Sequence, residues 1–228
     1  MNYNNELKES VLFGISRFLR AIPTLFRIAE TTVYSAAYQQ WLVGQTWAKG
    51  AKSHYTREAL WRACFYSLRD GLFTGIEFGV ASGAATKWWA RSGIPFLKWY
   101  GFDTFKGLPE DWYRGSVFYL PKGHFDGRVP KISASYKIEW VAGLIENNLN
   151  NFSRPDGKLF IIIDSDLLEP ARSVLNWTRQ NGRPGDIIYF DEVYDPWNEG
   201  LALREAIDSG CKYKCLGYTG STIALELV

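Results

Sequence analysis

Glu77, Asp103, Asp164, Asp191 and Glu192 are acids scattered along this 228-residue chain whose neighbours suggest a shared site. Glu77 opens the run Glu77-Phe78-Gly79-Val80-Ala81-Ser82-Gly83. Small residues in such a run let backbone approach a ligand closely. The dinucleotide-binding fingerprint needs G-x-G-x-x-G, whereas Gly79 and Gly83 are separated by three residues. A carboxylate beside the loop would also repel a pyrophosphate. It suits a ligand with an ammonium group, such as the methionine end of S-adenosylmethionine. The alternative is a glycine-rich turn with Glu77 in an internal ion pair.

Asp103 follows the glycine loop by about 20 residues, the distance at which an acid accepts the hydroxyls of a bound ribose. A turn or helix-capping acid is the other reading. Asp164-Ser165-Asp166 and Asp191-Glu192 each follow an apolar run. Unpaired buried carboxylates are costly, so cations must meet them. A hard divalent metal with oxygen ligands satisfies several at once; Lys or Arg partners do so less compactly. Methyl transfer to an oxygen also needs its hydroxyl polarised by a metal or deprotonated by a His or Asp. The histidines are His54 and His124. His124 lies in the loop Lys122-Gly123-His124-Phe125-Asp126-Gly127, where it either reaches the site or stays on the surface. Asp164, Asp191 and His124 are the catalytic candidates.

The elements that would position these residues alternate. Phe73–Val80, Lys98–Asp103, Tyr136–Val141, Lys158–Asp164 and Asp186–Asp191 read as strands. Ala84–Arg91, a short segment ending at Asn150, Pro170–Gln180 and Asn198–Ser209 read as helices. Tyr213–Gly217 and Thr222–Leu227 form two closing strands joined at Gly220, and Phe105 to about Pro130 is a long Gly/Pro-rich loop. Strands alternating with helices imply a mostly parallel sheet covered on both faces, with ligands at the carboxyl ends of its strands.

Before this unit the chain reads as helical. Val11, Leu12, Ile15, Phe18, Leu19 and Ile22 recur at three and four, with Arg17 and Arg20 between them, and Phe26, Ala29, Val33, Ala37 and Trp41 continue beyond Pro23. This extension packs on the domain or a second subunit, covers a substrate pocket, or lies on a membrane surface. A further helix spans about Arg57 to Arg69. The expected organisation is a helical extension over residues 1–56 and an α/β domain over 57–228.

Hydrophobic residues at 46% and charged residues at 22% suit a globular domain with a real core, and ten Trp are assigned mostly to that core. A net charge of +2 and the lack of a basic, aromatic-interleaved run argue against nucleic acid. Three cysteines without metal-ligand spacing support a reducing setting. The N-terminus lacks the charge-then-apolar order of a signal peptide, and no apolar run approaches a membrane span. The expected location is cytoplasmic.

With these motifs the chain resembles the class I S-adenosylmethionine-dependent methyltransferases related to macrocin O-methyltransferase, which act on sugars and natural-product hydroxyls. Four blocks carry the resemblance: Gly75–Gly83 (GIEFGVASG); Gly101–Trp112 (GFDTFKGLPEDW), similar to G-F-D-x-F-x-G-L-P-E; Ile163–Leu167 (IDSDL), similar to D-x-D-L-Y; and Pro184–Val193 (PGDIIYFDEV). It implies a Rossmann-like fold, a mostly parallel seven-stranded sheet with a C-terminal antiparallel hairpin. It further implies cofactor contacts from Glu77, Gly79, Gly83, Asp103 and Thr104, with Ala142 near the adenine and Asp164 and Ser165 at the pocket edge. Phe78 and Ala81 of the same loop join this set. A magnesium site from Asp164, Asp191 and Glu192 is implied as well. Ala81 departs from the pattern where a glycine is usual, which is tolerable at negative φ. Leu168 and Glu169-Pro170 also depart, as does Glu192, which stands where a second Asp is common.

The expected function is S-adenosylmethionine-dependent O-methylation of a small hydroxylated acceptor, with a divalent cation, in a chain compatible with a homodimer. A nicotinamide-dependent oxidoreductase and a non-catalytic binding subunit of the same fold are the alternatives.

Overall fold

The structure, a computed structural model, describes residues 3–69, 71–115, 118–125 and 127–228, without the side chains of 3–7, 19 and 20. The side chains of Leu19 and Arg20 in the expected helical pattern, and residues 116, 117 and 126 of the expected loop, thus lie outside the described residues.

Two helices come first, α1 (Tyr3–Ala21) and α2 (Pro23–Val43). Pro23 has no N–H to donate and a preset φ, so it opens α2 and separates it from α1. After a two-residue strand, β1 (Lys52–Ser53), comes α3 (Arg57–Leu68). Thr56 caps α3, its hydroxyl accepting the Ala59 N–H at 3.2 Å. The α/β unit then runs β2 (Phe73–Phe78), α4 (Ala84–Arg91), β3 (Lys98–Asp103), β4 (Trp112–Arg114), β5 (Phe118–Leu120), β6 (Lys137–Ala142), α5 (Ile145–Leu149), β7 (Lys158–Ile163), α6 (Leu168–Asn181), β8 (Ile187–Phe190), α7 (Glu199–Asp208), β9 (Tyr213–Tyr218) and β10 (Ile223–Leu227).

The main sheet has the order β1-β9-β10-β8-β7-β2-β3-β6. Its strands are parallel except β10, which is antiparallel to both β8 and β9. The mostly parallel sheet with a C-terminal antiparallel hairpin is the expected architecture. The sheet has eight strands, however, because β1 adds itself in parallel to β9; two residues carry no periodic signal. The long loop likewise contains an antiparallel hairpin, β4–β5, pairing Trp112 with Leu120 and Arg114 with Phe118.

Register aligns the strand ends. Phe78 pairs with both Phe102 and Ile163, and Ile163 pairs with Phe190. The residues that follow, Gly79, Asp103, Asp164 and Asp191, therefore leave the sheet along one edge. β2 lies between β3 and β7, so successive connections run in opposite directions from it. That reversal leaves an open crevice at the strand ends.

Side chains alternate across the sheet. Ile76, Phe78, Ile161, Ile163, Ile188 and Phe190 pack with α5–α7 and with Tyr38 and Leu42 of α2. Phe73, Phe160, Ile162, Ile187 and Tyr189 pack with α3 and α4 through Leu60, Trp61 and Trp89. Most tryptophans are in these cores as expected; among the ten, Trp197 stands out at 46% exposure. The second half of α2 is tied to the sheet, with the Ser35 hydroxyl donating to the Gly220 carbonyl at 2.7 Å and the Tyr38 hydroxyl to the Thr222 carbonyl at 3.3 Å.

Candidate active site

Gly79 sits at φ 90°, and a Cβ there would overlap the Asp164 carbonyl. Only glycine lets the β2 and β7 exits approach this closely. Asp103 closes the loop from the other side. Its Oδ2 accepts the N–H groups of Val80 and Ala81, both at 2.8 Å, and its Oδ1 accepts the Phe105 N–H at 2.7 Å. The Thr104 hydroxyl donates to the Gly107 carbonyl at 2.6 Å, shaping the next turn.

These residues form one wall of a cleft of about 430 Å³, within the range of small-ligand sites. Leu108, Trp112 and Leu167, backed by Phe118 and Leu120 of the β4–β5 hairpin, form its apolar wall. Asn198 holds this hairpin down, its Nδ2 donating to the Tyr113 carbonyl at 2.9 Å.

The opposite wall is acidic. Asp164, Asp166, Asp191 and Glu192 line it. Arg57, at the start of α3, reaches Asp191 at 3.0 Å, and the Tyr189 hydroxyl donates to the same carboxylate at 3.0 Å. Arg114 of β4 reaches both Glu192 oxygens, at 2.6 and 2.5 Å, with its guanidinium 4.1 Å from the Phe118 ring centroid. Behind this wall, buried Glu199 accepts the N–H groups of Ser165 (2.8 Å) and Asp166 (3.1 Å) through Oε1 and that of Glu192 (3.2 Å) through Oε2. Burial, then the neighbouring carboxylates Asp191 and Asp166, holds the Asp164 carboxyl well above its usual range. Burial and Glu192 do the same for Asp166. Glu199 is raised by burial and Asp166, and Glu192 by burial against the opposing pull of Arg114.

Three buried polar atoms on the cleft lining have no hydrogen-bond partner among the described residues: Trp112 Nε1, Glu146 Oε2 and Ser165 Oγ. Buried polar groups in folded proteins are normally paired; other unpartnered atoms, such as Trp61 Nε1 and Trp89 Nε1, lie in the core away from the cleft.

No known protein family matches the sequence, and no curated protein is similar to it in sequence. Solved structures are similar in fold. The O-methyltransferase NovP superposes with a TM-score of 0.52 at 15% identity, over 76% of this chain and 82% of NovP. CalS11, a TDP-rhamnose 3'-O-methyltransferase of calicheamicin biosynthesis, gives 0.49 at 21% identity over 75% and 81%. The chain has a class I methyltransferase fold.

In that fold the cleft gathers Gly79, Ala81, Asp103, Thr104, Asp164, Ser165, Asp191 and Glu192 of the expected residues. Others lie elsewhere. Glu77 points to the α4 face of the sheet, because strand parity sends it opposite to Ile76 and Phe78. There it is 1% exposed, accepts from the Thr86 hydroxyl and, at 3.1 Å, from the Trp99 indole, and burial pushes its carboxyl up to about 8. It therefore lies outside the cleft lining, placed neither to meet a ligand ammonium nor to repel a pyrophosphate there. Phe78 is a core side chain against Phe102. Gly83 caps α4 at φ 72° and faces Pro130 and Ile132. The Ala142 methyl is exposed, and the cleft is lined slightly later in the chain by Leu144, Ile145 and Glu146. His124 is exposed, its ring against Phe125 and outside the cleft lining, so it is not placed to act as a base. Ala81 adopts φ 43°, the left-handed region, against the expectation of a negative value.

The expected magnesium set does not fit. Among the described residues no three His, Cys, Asp or Glu side chains come together as metal ligands. Asp191 and Glu192 instead hold guanidinium groups, the less compact solution to the same charge problem. Arg57, Arg114, Glu146, Glu199 and Trp112 were not among the expected site residues. Trp112 stands in the GFDTFKGLPEDW block and Glu146 just beyond β6, whereas Arg57, Arg114 and Glu199 arrive through partners distant in the chain, invisible to local pattern.

Proposed function

We propose that the chain is an S-adenosylmethionine-dependent O-methyltransferase for a small hydroxylated acceptor. The observation that carries this reading is the cleft at the order reversal of the sheet, where Asp103 stands beside the close Gly79 turn and Trp112, Glu146 and Ser165 stand in the lining. A carboxylate has about four acceptor sites; Asp103 uses three on backbone N–H groups and retains capacity for a ribose hydroxyl. Glu146 and Ser165 supply an acceptor and a hydroxyl for the polar edge of an adenosine, and Leu144 and Ile145 supply apolar surface. Bound there, S-adenosylmethionine supplies a methyl group on a positively charged sulfur, which an acidic wall favours.

A second cleft, about 490 Å³, shares Arg57, Asp191 and Glu192 with the first. It is lined by the hydroxyl-bearing residues Thr31, Tyr55, Thr56, Tyr194, Thr219, Ser221 and Thr222. That lining suits a polyhydroxylated acceptor, such as a sugar or a decorated metabolite. Arg57 lines both clefts, and Arg114 of the first holds the shared Glu192; Arg57 can polarise an acceptor oxygen as it loses its proton. Asp164 and Asp166 make no ion pair among the described residues, and one of them takes that proton in its ionised form.

Isothermal titration of the chain with S-adenosylmethionine tests the reading. Binding is expected without added divalent cation, and Asp103→Ala should weaken it by about 1–3 kcal/mol. A folded protein that takes up no S-adenosylmethionine, with or without magnesium, would rule the reading out.

A further inference from the structure

The N-terminal helices hold a surface that neither the sheet nor the clefts use. Val11, Leu12, Ile15 and Phe18 of α1 are 51–59% exposed. Their spacing, with Ile22 after them, sets most of them along one side of the helix. Beyond the turn, Leu25, Ile28 and Val33 of α2 continue as exposed apolar side chains. The other half of α2 is spoken for, since Tyr38 and Leu42 are in the core. The extension is therefore rooted in the domain at one end and presents bare apolar side chains at the other.

Cations border this surface. Arg17 and Arg27 are exposed, and among the described residues neither has an acidic partner. The Arg17 guanidinium lies 5.9 Å from the ring centroid of the exposed Phe13, on the flank of the helix away from Val11, Ile15 and Phe18. The described side chains here set Lys8, Arg17 and Arg27 against Glu9 and Glu30, and Glu30 lies towards the domain, accepting from the Tyr34 hydroxyl at 3.1 Å. A second copy laid on this face would bring the same unpaired arginines towards its own. A negatively charged, apolar-backed surface would meet both features at once. No described helix is long and apolar enough to cross a membrane, so contact of this kind is with a surface.

We infer that the N-terminal helices seat the protein on the face of a bilayer containing anionic lipid, with Val11, Ile15, Phe18 and Ile22 entering the acyl boundary and Arg17 and Arg27 at the headgroups. The inference stands independently of the proposed methyl transfer. The acceptor cleft reaches Thr31 of α2, so such seating places its mouth near the lipid surface.

Co-sedimentation of the full chain with phosphatidylcholine vesicles, with and without about one-third phosphatidylglycerol, tests this. Binding to the anionic vesicles should exceed that to neutral ones by about tenfold or more and weaken as salt is added. Ile15→Glu with Phe18→Glu should abolish it. Arg17→Glu with Arg27→Glu changes solvent-facing charge only, and should lower the anionic preference about tenfold or more with unchanged circular dichroism. No binding to either vesicle overturns the inference, and equal binding to both overturns its charge component. Dimers in light scattering that Ile15→Glu with Phe18→Glu splits into monomers, without vesicle binding, would assign the face to a second copy instead.

Discussion

The two sides of the cleft hold their shape by different means. At the β2 and β3 ends, backbone does the work: Gly79 packs against the Asp164 carbonyl, and three backbone N–H groups converge on Asp103. At the β7 and β8 ends, side-chain charge does it. Asp164, Asp166, Asp191, Glu192 and Glu199 crowd together with Arg57 and Arg114 as their cations. A wall framed mostly by backbone has few ionisable groups, Asp103 chief among them. A wall of crowded carboxylates responds more strongly to protons, which suits the side where the proposed acceptor would lose one.

The most damaging way to break the first wall is Gly79→Ala. The new methyl would overlap main chain, and the φ of 90° is unfavourable for any L side chain. A loss of about 3 kcal/mol or more is expected in urea unfolding, or failure to fold. A variant within about 1 kcal/mol of the parent would show that the loop can relax, and that backbone does not hold this wall.

Glu77 is the exception on the backbone side, and it sharpens the contrast. Its folded carboxyl titrates near 8 against an ordinary value of 4.5. The folded state therefore binds a proton that the unfolded state has released between those values. Its contribution to stability is complete below about pH 4.5 and is lost as pH rises towards about 8, at up to ~1.4 kcal/mol per pH unit. Glu77→Gln should flatten the fall of melting temperature between pH 5 and pH 8, and raise stability most at the alkaline end. Identical pH profiles for the two proteins would remove Glu77 from the account. The acidic wall carries raised carboxyls as well, so a residual slope is expected in the variant.

Ala81→Gly is the mildest test. At φ 43° the alanine is strained, and its side chain is exposed. Glycine removes the strain but adds unfolded-state freedom, so a net gain of about 0.5–1 kcal/mol is expected, with cofactor binding retained. A loss of stability would mean that the methyl has a packing role on the cleft surface.

Seven of the eight strands of the main sheet were legible because each carried an apolar run, while two-residue β1 and the β4–β5 hairpin carried none long enough to read. Ala84–Arg91 and Lys98–Asp103 have the expected limits. The acids at strand ends followed from the same logic, since a parallel sheet brings its carboxyl ends to one edge. Side-chain direction did not follow as readily. Glu77 lies within the motif but one position of strand parity turns it away from the cleft, and nothing in the local sequence marks where the strand stops. The arginines were also hidden. Arg57 sits in α3 and Arg114 in a short hairpin bounded by glycines, and each meets its acid only through contacts between segments distant in the chain.

Glu199 joins two loops that follow different strands, because one carboxylate receives amides from both. The loops cannot loosen separately without leaving buried N–H groups unpaired. Ser165, Asp166 and Glu192 should therefore exchange their amide hydrogens as one cooperative unit, and the acidic wall should open in a single step. Access to the cleft is then a property of the whole wall, governed from behind by a side chain outside the cleft lining.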